Sequence, residues 1–143
     1  MVELAAPLLR RLYADWLAWR GERELPARRD FDPLGIRYII GKLSLIDVLG
    51  EPLRFRYRVH GTENAERLGF DLTGKPLEAW PDPEHRSMVE TCFATVVKSR
   101  SPLARLREQV FGDGRLWRYE ILVLPLSGDG TQVDMLMVAA EFK

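Results

Sequence analysis

The sequence predicts an α+β fold: five antiparallel strands with helices on one face of the sheet, and an amphipathic helix ahead of them. Three observations carry this prediction. Leu53, Phe55, Tyr57 and Val59 alternate with Arg54, Arg56, Arg58 and His60, the two-residue period of a strand with one dry and one wet face. Met88, Val89, Cys92, Phe93, Val96 and Val97 recur at helical spacing. Beyond Ser101 and Pro102, apolar runs are broken by Gly112-Asp113-Gly114 and by Ser127-Gly128-Asp129-Gly130, turn sequences that join hairpin strands.

The elements follow in order. Leu4, Leu8, Leu12, Trp16 and Trp19 form a stripe, widened by Leu9 and Tyr13, and Gly21 is a natural stop. Residues 1–24 therefore read as an N-terminal helix whose apolar face needs a partner, either the chain's own sheet or a second copy. Residues 25–33 contain two prolines and no period, and read as an extended connection. Asp32 and Pro33 then start a short helix through Ile36, Ile39 and Ile40, with Asp32 as its cap. LSLIDVL, residues 43–49, is a first strand; a turn at Gly50, Glu51 and Pro52 makes the alternating segment its hairpin partner. Thr62 caps a short helix ended by Gly69, and residues 70–83 read as turns. Asp82 and Pro83 begin the longer helix, and three strands follow over 103–111, 115–126 and 131–142.

Bulk properties narrow the function. A chain of 143 residues fits one domain, and 46% apolar with 29% charged residues is a globular composition. The 21 basic and 21 acidic residues cancel, which argues against the summed positive field that draws nucleic acid or anionic membrane. The single cysteine, Cys92, leaves no intrachain disulfide. Arg10, Arg11, Asp15 and Arg20 interrupt the N-terminal apolar run, so it is neither a signal peptide nor a membrane span. A soluble, cytoplasmic protein is the expectation.

Two strands, a set of small helices with one longer helix, and three strands make the layout of PAS domains. The segments LPARRDFDP, LSLIDV, RFRYRVHGTENAERLGFDLTGK and YEILVLPLSGDGTQVDMLM resemble, in that order, those of a bacterial PAS-like family long catalogued as a domain of unknown function. The resemblance runs from about Leu25 to the C-terminus and takes in the tryptophan-bearing helix. It implies one PAS-like domain over 1–143, with a core at 25–143 and a sheet whose concave face the helices cover. It also implies a sensory or interaction module that holds a small molecule between sheet and helices. It names no ligand, because PAS domains bind haem, flavin, organic acids or nothing, and the cofactor stays unknown.

The pocket candidates are geometric. Phe55, Tyr57 and Val59 on the strand should oppose Met88, Cys92 and Phe93 on the longer helix, with Trp80 as a lid. On the fourth strand, either the face with Trp117, Tyr119 and Ile121 or the face with Leu116, Arg118 and Glu120 looks inward, and Tyr119 joins the candidates. A buried phenol needs a hydrogen-bond partner, which a ligand could supply. A packed core is the expectation at these positions over a sizeable cavity.

Other motifs carry less. Gly69 to Pro76 imitates the start of a phosphate-binding loop, but Pro76 stands where Ser or Thr would hold magnesium. His60 sits on the polar face, and His85 is expected solvated beside Glu84 and Arg86, although haem-binding PAS domains use a histidine on the corresponding helix. No metal-ligand spacing occurs. Cys92 reads as a buried, inert thiol, and the motif of flavin-binding light sensors is missing. Asp30 and Asp32 are expected to pair with Arg28 and Arg29. With no catalytic set, an enzyme is not expected.

The reading is a stand-alone sensory or interaction module that signals through a homodimer, built on Leu4, Leu8, Leu12, Trp16 and Trp19, or through a separate signalling protein. The alternatives are a carrier or enzyme that uses the cavity directly, and a nucleic-acid adaptor built on Arg54, Arg56 and Arg58.

Overall fold

A computed structural model of the chain describes residues 2–110 and 114–143. Helix α1 spans Pro7–Arg20. The hairpin of β1 (Leu43–Leu49) and β2 (Arg54–Val59) follows, then α2 (Thr62–Leu68) and α3 (Pro83–Ser99). A meander of β3 (Leu103–Val110), β4 (Leu116–Leu126) and β5 (Met135–Phe142) completes the order. All pairings are antiparallel, and the sheet order is β2-β1-β5-β4-β3. The last strand returns beside the first, with Ser44 opposite Val138 and Ile46 opposite Leu136. This is the five-stranded α+β architecture that the sequence predicts.

Helices cover both faces of the sheet. On β4, Tyr119 and Ile121 point toward α2 and α3, so Glu120 and Leu122 point the other way. Ala6, which precedes α1, has no side chain to cap it. The buried Glu120 carboxylate does so instead, accepting the amides of Ala5 at 2.8 Å and Ala6 at 2.7 Å. An anion there satisfies orphan N–H groups at the positive end of the helix dipole. Trp16 Nε1 donates to the Pro125 carbonyl at 3.0 Å. Leu9, Leu12 and Trp16 are buried, while Leu4, Leu8 and Trp19 are only half-buried. The helix thus lays its stripe on its own sheet, turned toward Leu9.

One irregularity shapes the interior. Where β1 steps back one residue, from Ile46 to Leu45, β2 advances two, from Tyr57 to Val59. Arg58 is the extra residue of a β-bulge, which flips the alternation after it. Val59 therefore leaves the inner face and is 43% exposed, and His60 turns inward and is buried. Gly61 then crosses close to the chain. A Cβ there would meet the Gly41 carbonyl oxygen at 2.6 Å and the Leu43 nitrogen at 2.8 Å.

Several local expectations are corrected. The helix through Ile36, Ile39 and Ile40 is two 3-10 turns, Pro33–Ile36 and Ile40–Lys42. Gly35 and Gly41 lie within these turns, and glycine weakens a helix interior. Residues 25–33 are not wholly extended, because Arg28–Asp30 form another such turn. Asp30 pairs with Arg23 at 2.7 Å and not with Arg28, which lies over the Phe31 ring. Gly61, not Thr62, is the cap residue of α2. The last strand starts at Met135, not Thr131, because Asp129 Oδ1 draws the amides of Thr131 and Gln132 into a turn. Phe111, Gly112 and Asp113, and the turn expected there, lie outside the described residues.

The two edges of the sheet differ. Along β2, Gly74 N–H donates to the Tyr57 carbonyl at 2.7 Å, Tyr57 N–H donates to the Lys75 carbonyl at 2.9 Å, and Arg56 bridges Pro76. At the other edge, β3 carries exposed Leu106 and Val110 beside exposed Leu116 of β4. No described helix is long and apolar enough to cross a membrane.

Candidate functional site

Asp82 places the first wall of the site. It caps α3 by accepting the Glu84 amide at 3.0 Å, and this phase sets His85, Val89 and Phe93 in a row facing the sheet. The sheet answers with Ser44 on β1, Tyr57 on β2, Tyr119 and Ile121 on β4, and Phe142 on β5. Asn64 and Leu68 of α2 and the inward His60 close one side, and Trp80 closes another. They enclose a cavity of about 50 Å³.

Of the residues singled out in the sequence, Tyr57, Trp80, Phe93 and Tyr119 line this space. The face of β4 carrying Tyr119 and Ile121 is the inner one. Phe55 is buried beside the cavity, edge-on to Phe93 at 5.4 Å between ring centres. Cys92 is buried off the cavity, its Sγ accepting from Arg107 Nη2 at 2.8 Å. Met88 is only half-buried and Val59 is outside, so neither lines the space. Ser44, His60, Asn64 and His85 were missed. His85 is 2% exposed, not solvated as expected. Its place at four-residue intervals ahead of Val89 and Phe93 was the available signal. His60 had none, because a bulge leaves no mark in the alternation that precedes it.

The polar groups are tightly placed. Trp80 Nε1 donates to the Tyr57 hydroxyl at 3.1 Å, and the Tyr119 hydroxyl lies 3.2 Å from His85 Nε2. Leu72 N–H donates to His60 Nδ1 at 3.0 Å, so that nitrogen carries no proton. Burial holds both histidines below the usual imidazole range, opposed at His60 by Asp71 and at His85 by Gln109 and Asp82. Burial also pushes both phenols up, against the Trp80 hydrogen bond at Tyr57 and the Arg107 charge at Tyr119. Both stay protonated at neutral pH.

The size decides what the cavity can hold. Ligand pockets for cofactor-sized molecules span roughly 300–1,000 Å³, so neither haem nor flavin fits the 50 Å³ present. On the far side of the sheet, an open groove of about 1210 Å³ runs between α1 and β3, lined by Leu4, Tyr13, Leu17 and Leu106 among others. The arginines of β2 are partly engaged: Arg58 Nε lies 2.9 Å and Arg56 Nη2 3.4 Å from the Asp47 carboxylate.

The comparisons agree with this architecture. A family model described as a PAS domain, of the PAS_5 type, matches residues 4–139. The chain belongs to the PAS domain family, whose fold serves sensory and interaction modules. No curated protein matches it. Among solved structures it is similar to the PAS domain of Bordetella pertussis BvgS, with a TM-score of 0.57 and 16% identity over 77% of this chain and 85% of that one. The LOV protein of Rhodobacter sphaeroides gives a TM-score of 0.54 at 10% identity, over 78% of this chain and 68% of the other. The RsLOV d2 variant gives 0.52 at 11% identity over 70% of this chain, which spans 57% of that protein's length. At such identities the likeness is one of fold.

Proposed function

We propose that this chain is a sensory module in which a small molecule enters the cavity between the sheet and α2 and α3, and the altered packing is read by a protein partner. One observation carries the reading. A cavity at the centre of the domain is bounded by four strands and two helices and ringed by buried polar groups, among them Tyr57, Tyr119, Asn64 and His85. A space defined by elements on both sides couples its filling to their separation, because packed interiors transmit small volume changes. Native mass spectrometry of freshly purified protein, set beside its denatured mass, tests this. A surplus mass in the native spectrum is expected; a bare chain that gains no mass with any small solute would overturn it.

A second reading, a homodimeric interaction module, rests on different residues from those first chosen. With Leu9, Leu12 and Trp16 buried on the chain's own sheet, the stripe of α1 gives a dimer little support. Exposed Leu106, Val110 and Leu116 form the face that a second copy would cover. Sedimentation at tens of micromolar (an order-of-magnitude choice for weak dimers) decides it, a strict monomer removing this reading alone.

A further inference from the structure

We infer that the cavity takes a small uncharged molecule bearing a hydrogen-bond acceptor, and that it turns away ionised ligands. The inference deepens the cavity reading above and rests on it. Tyr57 is 4% exposed. Its hydroxyl oxygen already accepts the Trp80 N–H, and among the described residues no acceptor takes its hydrogen. A buried donor with no acceptor destabilises the fold and calls for an explanation. The cavity that Tyr57 lines is where an acceptor can sit.

Asn64 adds the complementary group. Its side-chain nitrogen donates to the carbonyls of Lys42 at 2.9 Å and Ala140 at 3.4 Å. This fixes the amide orientation and leaves Oδ1 as an acceptor. A ligand with an acceptor and a donor, such as a primary amide or a short alcohol, can answer both groups.

Charge is excluded by what the lining lacks. No Lys, Arg, Asp or Glu is among the described residues that line the cavity. The charges beside the cavity lie outside the lining: Asp71 by His60, Asp82 by His85, Arg67 over the outer Phe142 ring, and Arg107, whose guanidinium is held on Cys92 and acts on Tyr119 from there. His60 has its Nδ1 occupied by the Leu72 amide and is neutral. An ion entering here loses its water and meets no charged side chain in the lining to pair with directly, which is costlier than burying a neutral group that finds a hydrogen bond. Size sets the rest. At roughly 10–15 Å³ for each water-sized sphere, 50 Å³ accommodates a ligand of about four heavy atoms.

Acetamide and acetate have the same number of heavy atoms and differ in charge at pH 7.5, so they are the probes. Methyl NMR of the whole chain would follow Leu68, Val89, Ile121 and Val138 during titration with each. Acetamide is expected to move these signals saturably. Its Kd should be no tighter than about 0.05 mM, the ceiling for so few atoms. Acetate should bind at least tenfold more weakly, and Tyr57→Phe should weaken acetamide at least fivefold while leaving the other methyl signals in place. Acetate binding as well as acetamide would overturn the charge selection and leave the cavity reading standing. If neither probe moved the signals, the inference would fall, and the native mass of the untreated protein would decide the cavity reading by itself.

Discussion

Gly61 shows how little room one atom can have. Its missing Cβ would lie within 3.0 Å of three backbone atoms of Gly41 and Leu43, and backbone cannot swing aside as a side chain does. Gly61→Ala should therefore lower stability by about 3 kcal/mol, the upper end of overpacking costs, read as a fall in the urea midpoint at unchanged slope. The histidines make a second prediction at this scale. Burial lowers the pKa of His60 and His85 in the folded chain, whereas both titrate near the ordinary value of about 6.5 when unfolded. The unfolded state therefore takes up protons first as pH falls. Stability from these groups is complete above about pH 6.5 and is lost as pH drops through the lowered folded values. Asp30, Asp71 and Asp129, held low mainly by backbone N–H donors, keep their contribution until the pH falls below the ordinary carboxylate value. Urea midpoints should decline in two stages, one beginning near pH 6.5 and the other near pH 4, and replacing both histidines by Gln should remove the first.

At the scale of elements, α1 depends on a residue more than a hundred positions away. Glu120→Ala would strand the amides of Ala5 and Ala6 at a buried helix start. The expected loss is about 2–6 kcal/mol, the sum for two unsatisfied groups. Hydrogen exchange should quicken across residues 8–20 before it changes in β4 and β5. This distance also explains what was legible in the sequence. Local signals worked: Asp32 and Asp82 accept the amides two residues ahead, as caps do. β2 and α3 follow from their own periods, and the other four strands from apolar runs bounded by turn sequences. What failed depended on distant partners or on register. Glu120 looks like one more surface acid until α1 is laid across β4. His60 belongs to the wet face of β2 until Arg58 is extruded from the ladder. Two of the cavity's polar walls, Ser44 and Asn64, carry no pattern because their hydrogen bonds run to residues distant in the chain, Gly61 for Ser44, and Lys42 and Ala140 for Asn64.

At the scale of the whole molecule, a PAS fold with helices on both faces places its cavity and its exposed apolar patch on opposite faces of the sheet. The cavity lies under α2 and α3, and Leu106, Val110 and Leu116 lie at the far edge. Leu106→Glu should leave acetamide binding unchanged, since its side chain lies on the face of the sheet away from the cavity. It should abolish any self-association seen by sedimentation, because a charge placed in an apolar interface has no partner.

The unequal edges of the sheet have a consequence for assembly. Sheets grow by adding strands to free backbone edges, and the segment around Gly74 and Lys75 already occupies the edge at β2. Among the described residues each chain therefore offers a single valence, at β3. Two chains joined there would have none left, so growth by this route terminates at a pair and cannot propagate into a fibre.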